Sequence, residues 1–226
     1  MHLAIFDIDG TLTDTNVVDD ECYARAIKEE LGLHLPASWP SMDEITAAGV
    51  LRHLCEQKEL EFDSQAEDRV TIRFVDLLRD ACALANDRFH AIPGAPQVFA
   101  HLRSAGWDVA IATGGWRPSA LFKLRSAAIP YEGVPLATSS EHHVRREIIR
   151  LAASSAGEAT RESVVYVGDG VWDVRAALEL GCAFLGVGNG VKASALVAAG
   201  AESVIPDFTD AGAVVDVLQR LRGKTF

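Results

Sequence analysis

The sequence predicts an α/β fold: a doubly wound parallel sheet with a small helical domain inserted after the first strand. Three features carry that expectation. From Pro93 onward, short apolar segments alternate with helix-spaced ones, and the connections are short enough for parallel βα units. Between Thr15 and Asp87 the pattern is instead helical almost throughout. The first apolar segment, HLAIF, runs straight into Asp7-Ile8-Asp9-Gly10-Thr11, so the first strand presents two carboxylates at its C-terminal end.

Taken in order, HLAIF is short, apolar and β-compatible. In VVDDECYARAIKEELG, Val17, Cys22, Ala26, Ile27 and Leu31 stand near helical spacing, and Gly32 is placed as a C-cap. LHLPASWPS is a loop. Ser41 can N-cap the next helix, with Glu44 completing a capping box. DEITAAGVLRHLCEQKEL and SQAEDRVTIRFVDLLRDACALAN read as two further helices. At AIPGAP the character changes. QVFAHLRSAG is a helix ending in Gly106, WDVAIAT a buried strand, PSALFKLRSAA a helix and GVPLATS a short strand. HHVRREIIRLAASSAG is a helix, SVVYVG a strand, VWDVRAALELG a helix and CAFLGVG a strand. SALVAAG is a helix, ESVI a strand, and AGAVVDVLQRLR the last helix. Residues 1–14 and 88–226 are therefore expected to form the core domain, and residues 15–87 a separate small bundle.

The bulk properties narrow the function. The chain has 226 residues, 49% of them apolar, enough for one sizeable core plus a small module. The formal charge of −11 argues against nucleic-acid and anionic-membrane binding, but not against an anionic substrate met through a metal. Cys22, Cys55, Cys82 and Cys182 lack C-x-x-C spacing and read as reduced, packed thiols. There is no secretory signal pattern and no apolar run of the ~18 residues that a membrane span needs. The expectation is a cytoplasmic protein, monomer or homodimer.

Ligands of open α/β sheets bind beyond the carboxyl ends of the strands. After the first strand stand Asp7, Asp9 and Thr11. After WDVAIA stand Thr113, Gly114 and Gly115. After SVVYV stand Gly168, Asp169 and Gly170, with Asp173 four residues past Asp169. Carboxylates so gathered repel one another unless a cation joins them. All-oxygen ligands suit a hard cation, and Mg²⁺ is the usual one beside phosphates.

This arrangement resembles the haloacid dehalogenase superfamily, in its Mg²⁺-dependent phosphatase branch. Its motifs are DIDGT (Asp7–Thr11), the Thr of IATGG (Thr113) and GDGVWD (Gly168–Asp173). They come in the family's order along essentially the whole chain, and the helical block stands where the family carries a C1-type cap. The resemblance implies that Asp7 is the nucleophile and Asp9 the general acid and base. It implies that Asp7, the Asp9 carbonyl and Asp169 hold Mg²⁺ with Asp173 in support, and that Thr113 and Gly114 bind phosphate oxygens. It also implies a cation near the start of the helix before GDGVWD, where this chain has no Lys. Arg145 fits the usual register, with Arg146 and His143 as alternatives. The implied substrate is a small phosphorylated metabolite.

Other residues carry competing readings. Arg52 can contact the leaving group from the cap, helped by a close backbone approach at Gly49, or be an ordinary helix Arg. Trp116, Arg117 and Trp172 can line the site mouth or be structural. GVGNG is a turn and not a dinucleotide loop, because its spacing and late position are wrong. Besides phosphatase, the resemblance leaves open a phosphomutase of the β-phosphoglucomutase type. It also leaves phosphonoacetaldehyde-type C–P hydrolysis, which would need Lys28 or Lys58 for a Schiff base, and a non-catalytic binding module.

Overall fold

The computed structural model describes residues 2–35, 45–157 and 164–221. Six parallel strands form one sheet: β1 (His2–Phe6), β2 (Trp107–Ala112), β3 (Leu136–Ala137), β4 (Val164–Gly168), β5 (Ala183–Val187) and β6 (Ser203–Ile205), in the order β3-β2-β1-β4-β5-β6. The first strand is central, paired with β2 from His2↔Trp107 to Phe6↔Ile111 and with β4 from Leu3↔Val164 to Phe6↔Val167. A strand covered on both faces is apolar throughout, and its side chains alternate between the two sides. Ala4, Phe6 and Ile8 enter one core with Val98 and Phe99 of α4 (Ala95–Ser104), Leu124 of α5 (Arg117–Ser126) and Leu218 of α9 (Ala211–Leu221). Leu3 and Ile5 enter the opposite core with Ile148 of α6 (Arg145–Ser155), Val174 of α7 (Val171–Leu180) and Leu196 of α8 (Gly190–Ala198). The doubly wound α/β expectation holds.

The block after β1 contains α1 (Asn16–Leu31), α2 (Ala47–Gln57) and α3 (Ser64–Leu84). Their apolar stripes close on a third cluster that includes Tyr23, Ile27, Leu51, Phe74 and Leu78, and that recruits Trp116 from the loop after β2. Helix α1 ends on Gly32 at φ +68°, the left-handed C-cap its sequence suggests.

Several boundaries differ from the sequence expectation. The Ser41–Glu44 capping box lies outside the described residues. Thr46 caps α2 instead, its Oγ1 accepting from the Gly49 N–H at 3.0 Å, so the helix starts at Ala47. Helix α6 starts at Arg145 and not at His142, because the Val144 N–H is turned onto His142 Nδ1 at 3.0 Å. Strand β3 is only two residues long at the sheet edge, preceded by Pro135, which has no N–H to donate. Helix α8 begins at Gly190, earlier than SALVAAG suggests.

Candidate active site

The ends of β1, β2 and β4 meet under the helical block. After β1 the chain turns tightly: the Ile8 carbonyl accepts from the N–H groups of Thr11, Leu12 and Thr13 at 3.2, 2.8 and 2.9 Å. Gly10 sits at φ +72°, and a Cβ there would fall 1.9 Å from Asp169 Oδ2. Only glycine lets the first loop approach the third so closely. Asp7 is buried, and its Oδ1 has no hydrogen-bond partner. Burial raises its pKa well above the ordinary carboxylate value, reinforced by Asp173 and opposed by Arg145.

The Asp9 side chain is held between Thr15 at the start of α1 and Lys123 of α5. Its Oδ1 accepts from Thr15 Oγ1 at 2.6 Å, and its Oδ2 accepts from the Lys123 ammonium. Both side-chain oxygens are thus hydrogen-bonded.

At the end of β2, Thr113 is buried, and its Oγ1 accepts from the Gly115 N–H at 3.3 Å. A Cβ on Gly114 would lie 2.3 Å from Arg145 Nη2, so this glycine makes room for the arginine. Arg145 is buried at the start of α6. Its Nη1 donates to Asp173 Oδ1 at 2.8 Å and stands 3.7 Å from Asp7 Oδ1, and its Nη2 donates to the Ile45 carbonyl at 2.7 Å. Burial opposes its charge, but Asp173, Tyr166 and Asp7 outweigh it and push its pKa up. The two alternatives lie elsewhere. Arg146 pairs with Glu147 and Glu179 on the helix exterior, and the His143 ring stacks on His142 at 5.0 Å while its carbonyl accepts from Thr46 Oγ1.

After β4, Asp169 Oδ2 accepts from Asn16 Nδ2 at 3.0 Å and Lys192 Nζ at 2.5 Å. Burial raises the Asp169 pKa to about 6, against the pull of Lys192. Asp173 is fully buried in the first turn of α7. Its Oδ2 accepts from the Gly170 N–H at 3.0 Å, while its Oδ1 accepts from Arg145 and from Tyr166 Oη at 3.0 Å. Oxygens of Asp7, Asp169 and Asp173 lie within 4.8 Å of one another. An all-carboxylate set, raised pKa values on Asp7 and Asp169 and an unpartnered Asp7 Oδ1 fit a hard divalent cation. Asp173, with both oxygens taken, is suited to supporting such a site rather than binding directly.

A cavity of about 180 Å³ opens onto Asp7, Asp9, Thr113, Gly114, Arg145 and Asp169. Its opposite wall comes from the helical block, with Asp19, Asp20 and Phe74 among its residues. Arg52 is not part of that wall: its guanidinium lies 4.3 Å over the Phe62 ring, an interaction internal to the block. Trp116 is buried with Tyr23 and Phe74 and donates to Glu67, and Arg117 pairs with Glu141, so both are structural, whereas Trp172 does line the cavity.

Sequence reasoning missed Lys123, Asp19, Asn16, Lys192 and Tyr166. Lys123 had a readable signal, because it falls on the buried stripe of α5 with Ser119, Ala120 and Leu124. The others depend on contacts across the fold.

Among the described residues no helix is long and apolar enough to cross a membrane. A family model described as a haloacid dehalogenase-like hydrolase matches residues 1–181. No curated protein matches the chain. Among solved structures, a hydrolase from Pseudomonas syringae has 22% identity and a TM-score of 0.75, covering 96% of this chain and 99% of its own. A candidate β-phosphoglucomutase from Bacteroides vulgatus has 17% identity and a TM-score of 0.74, covering 99% and 91%. A phosphonoacetaldehyde hydrolase-like protein from Oleispira antarctica has 18% identity and a TM-score of 0.71, covering 100% and 95%. At these identities the likeness is one of fold, and the differing descriptions leave the choice of reaction to the residues of the site.

Proposed function

Because the chain belongs to the haloacid dehalogenase-like hydrolase family, we propose that it is a phosphomonoesterase in which Asp7 is the nucleophile and Asp9 the general acid and base. The observation that carries this reading is the division of labour between the two aspartates. Asp7 Oδ1 takes no hydrogen bond and lies 3.7 Å from Arg145 Nη1, while both Asp9 side-chain oxygens are held by hydrogen bonds, from Thr15 and Lys123. In this reading residues 15–87 act as a cap over a core of 1–14 and 88–226.

Mg²⁺ would be held by Asp7, Asp169 and the Asp9 carbonyl, with Asp173 keeping Arg145 in place. When bound, it supplies positive charge that lets an anionic carboxylate approach an anionic phosphate. Asp7 attacks phosphorus in line, forming a P–O bond to its own carboxylate as the ester P–O bond breaks. Asp9 gives its proton to the departing ester oxygen, then accepts one from the water that attacks the aspartyl-phosphate. Arg145, Thr113 and the N–H groups that follow it hold the phosphoryl oxygens as charge moves onto them.

The residues favour hydrolysis over the alternatives. A mutase must accommodate a second phosphate, and the cavity wall that would face it carries Asp19 and Asp20. Schiff-base chemistry needs a neutral lysine at the reacting carbon, yet Lys28 and Lys58 are exposed and off the cavity. Lys123 is buried, but Asp19 and Asp9 together outweigh burial and hold it as an ammonium.

Hydrolysis of 4-nitrophenyl phosphate tests the proposal. Turnover is expected with Mg²⁺, with loss on chelation and a fall on the order of 10⁴ or more in Asp7→Asn. Folded protein that releases no nitrophenol with Mg²⁺, or an Asp7→Asn variant as active as the parent, would overturn it.

A further inference from the structure

We propose that Lys123 is a positioning residue that fixes Asp9 for proton transfer and, through Asp19, makes that position depend on the cap. The inference rests on the assignment of Asp9 as the general acid.

Lys123 projects from α5 and is wholly buried. A buried ammonium is tolerated only when charge partners and hydrogen bonds replace its water. Lys123 has two such partners on different parts of the molecule. One is Asp9 Oδ2 in the loop after β1, and the other is Asp19 Oδ1 at 2.5 Å, in the first turn of α1. Thr15, at the N-cap position of α1, holds the other Asp9 oxygen at 2.6 Å and is itself 2.6 Å from Thr13 Oγ1. The carboxylate that must reach the leaving oxygen is therefore clasped on both sides, by a core ammonium and by a hydroxyl where the helical block begins.

The second carboxylate explains how the clasp can work during turnover. If Lys123 had Asp9 as its sole partner, any movement of Asp9 toward the leaving oxygen would strand a buried ammonium. With Asp19 in place the ammonium stays paired, so Asp9 can turn a short way and return to the same rest. Asp19 and Asp9 both line the cavity, so the clasp stands where the leaving group must lie. A displacement of α1 would carry Asp19 and Thr15 away together and leave Asp9 with a loosened seat.

The test compares kcat/KM for 4-nitrophenyl phosphate and phenyl phosphate in wild type, Lys123→Met, Lys123→Arg and Asp19→Asn. Phenol is the poorer leaving group and depends more on the proton that Asp9 donates. The expected result in Lys123→Met is a larger fall on phenyl phosphate, so that the ratio between the two esters grows by about 10-fold or more. Lys123→Arg should recover part of that ratio, and Asp19→Asn should shift it in the same direction as Lys123→Met. Should Lys123→Met fail to fold, Asp19→Asn carries the comparison. An equal fall on both esters would mark Lys123 as merely structural and overturn the proposal. Amide hydrogen exchange over the first turns of α1 gives a reading that needs no turnover: faster exchange is expected in Lys123→Met, and unchanged exchange would remove the link to the cap. A wild type that hydrolyses neither ester would sink the phosphatase reading, while the exchange result would still decide the clasp.

Discussion

Asp7 and Asp169 are carboxylates placed where burial disfavours their charge. A carboxyl whose folded pKa is raised binds more protons folded than unfolded, so its contribution to stability is present at low pH and lost as pH rises through the window. For Asp169 that window runs from the ordinary value of ~3.9 to about 6, and the loss above it is about 3 kcal/mol. A divalent cation bound by these groups reverses the sign, since it favours the ionised forms. Stabilisation by Mg²⁺ is therefore expected to be larger near neutral pH than near ~pH 5, as thermal melts with and without chelator would read it. Equal stabilisation at both pH values would show that the cation does not bind these carboxylates. At this scale the sequence was informative where the ligands are acidic residues at strand ends. It was silent on Asn16 and Lys192, whose partner Asp169 lies 153 and 23 residues away along the chain.

Helix α2 shows how one element joins the helical block to the rest of the fold. Thr46 Oγ1 accepts from the Gly49 N–H at the helix start and donates to the His143 carbonyl at 2.6 Å. The Ala47 N–H donates to the Gly114 carbonyl at 2.7 Å, and Arg145 reaches the Ile45 carbonyl. The same arginine that faces Asp7 thus also holds the entry to α2. Thr46→Val keeps the side chain's shape and removes both of its hydrogen bonds. It should cost about 1–2 kcal/mol in denaturant unfolding. It should also speed amide exchange in the first turn of α2, because the helical block loses part of its anchorage. A variant with parental stability and exchange would show that Thr46 does not hold α2 to the core. Helix periodicity located α2 correctly in the chain but not its first residue. The start at Thr46 is fixed by the carbonyls of residues 114 and 143, which a local pattern cannot see.

For the molecule as a whole, the parallel sheet was legible because its strands are short apolar runs between amphipathic helices. The site was legible because the topology sends the ends of β1, β2 and β4 to one edge. What stayed hidden is the way the helical block meets that edge: Trp116 leaves the core to pack with Tyr23 and Phe74, while Asp19 reaches in to Lys123. These contacts join segments about a hundred residues apart and have no local signature. Together they enclose the cavity in which Asp7 waits with an unpartnered oxygen. The step on which the proposed mechanism turns is bond formation between the Asp7 carboxylate and phosphorus. The most direct measurement mixes the protein with 4-nitrophenyl phosphate and Mg²⁺, quenches in acid within a turnover and maps phosphorylated peptides by mass spectrometry. One phosphoryl group is expected, on Asp7, and absent from Asp7→Asn. Phosphate release with Asp7 unmodified at every time point, at a rate that Asp7→Asn does not lower, would contradict it.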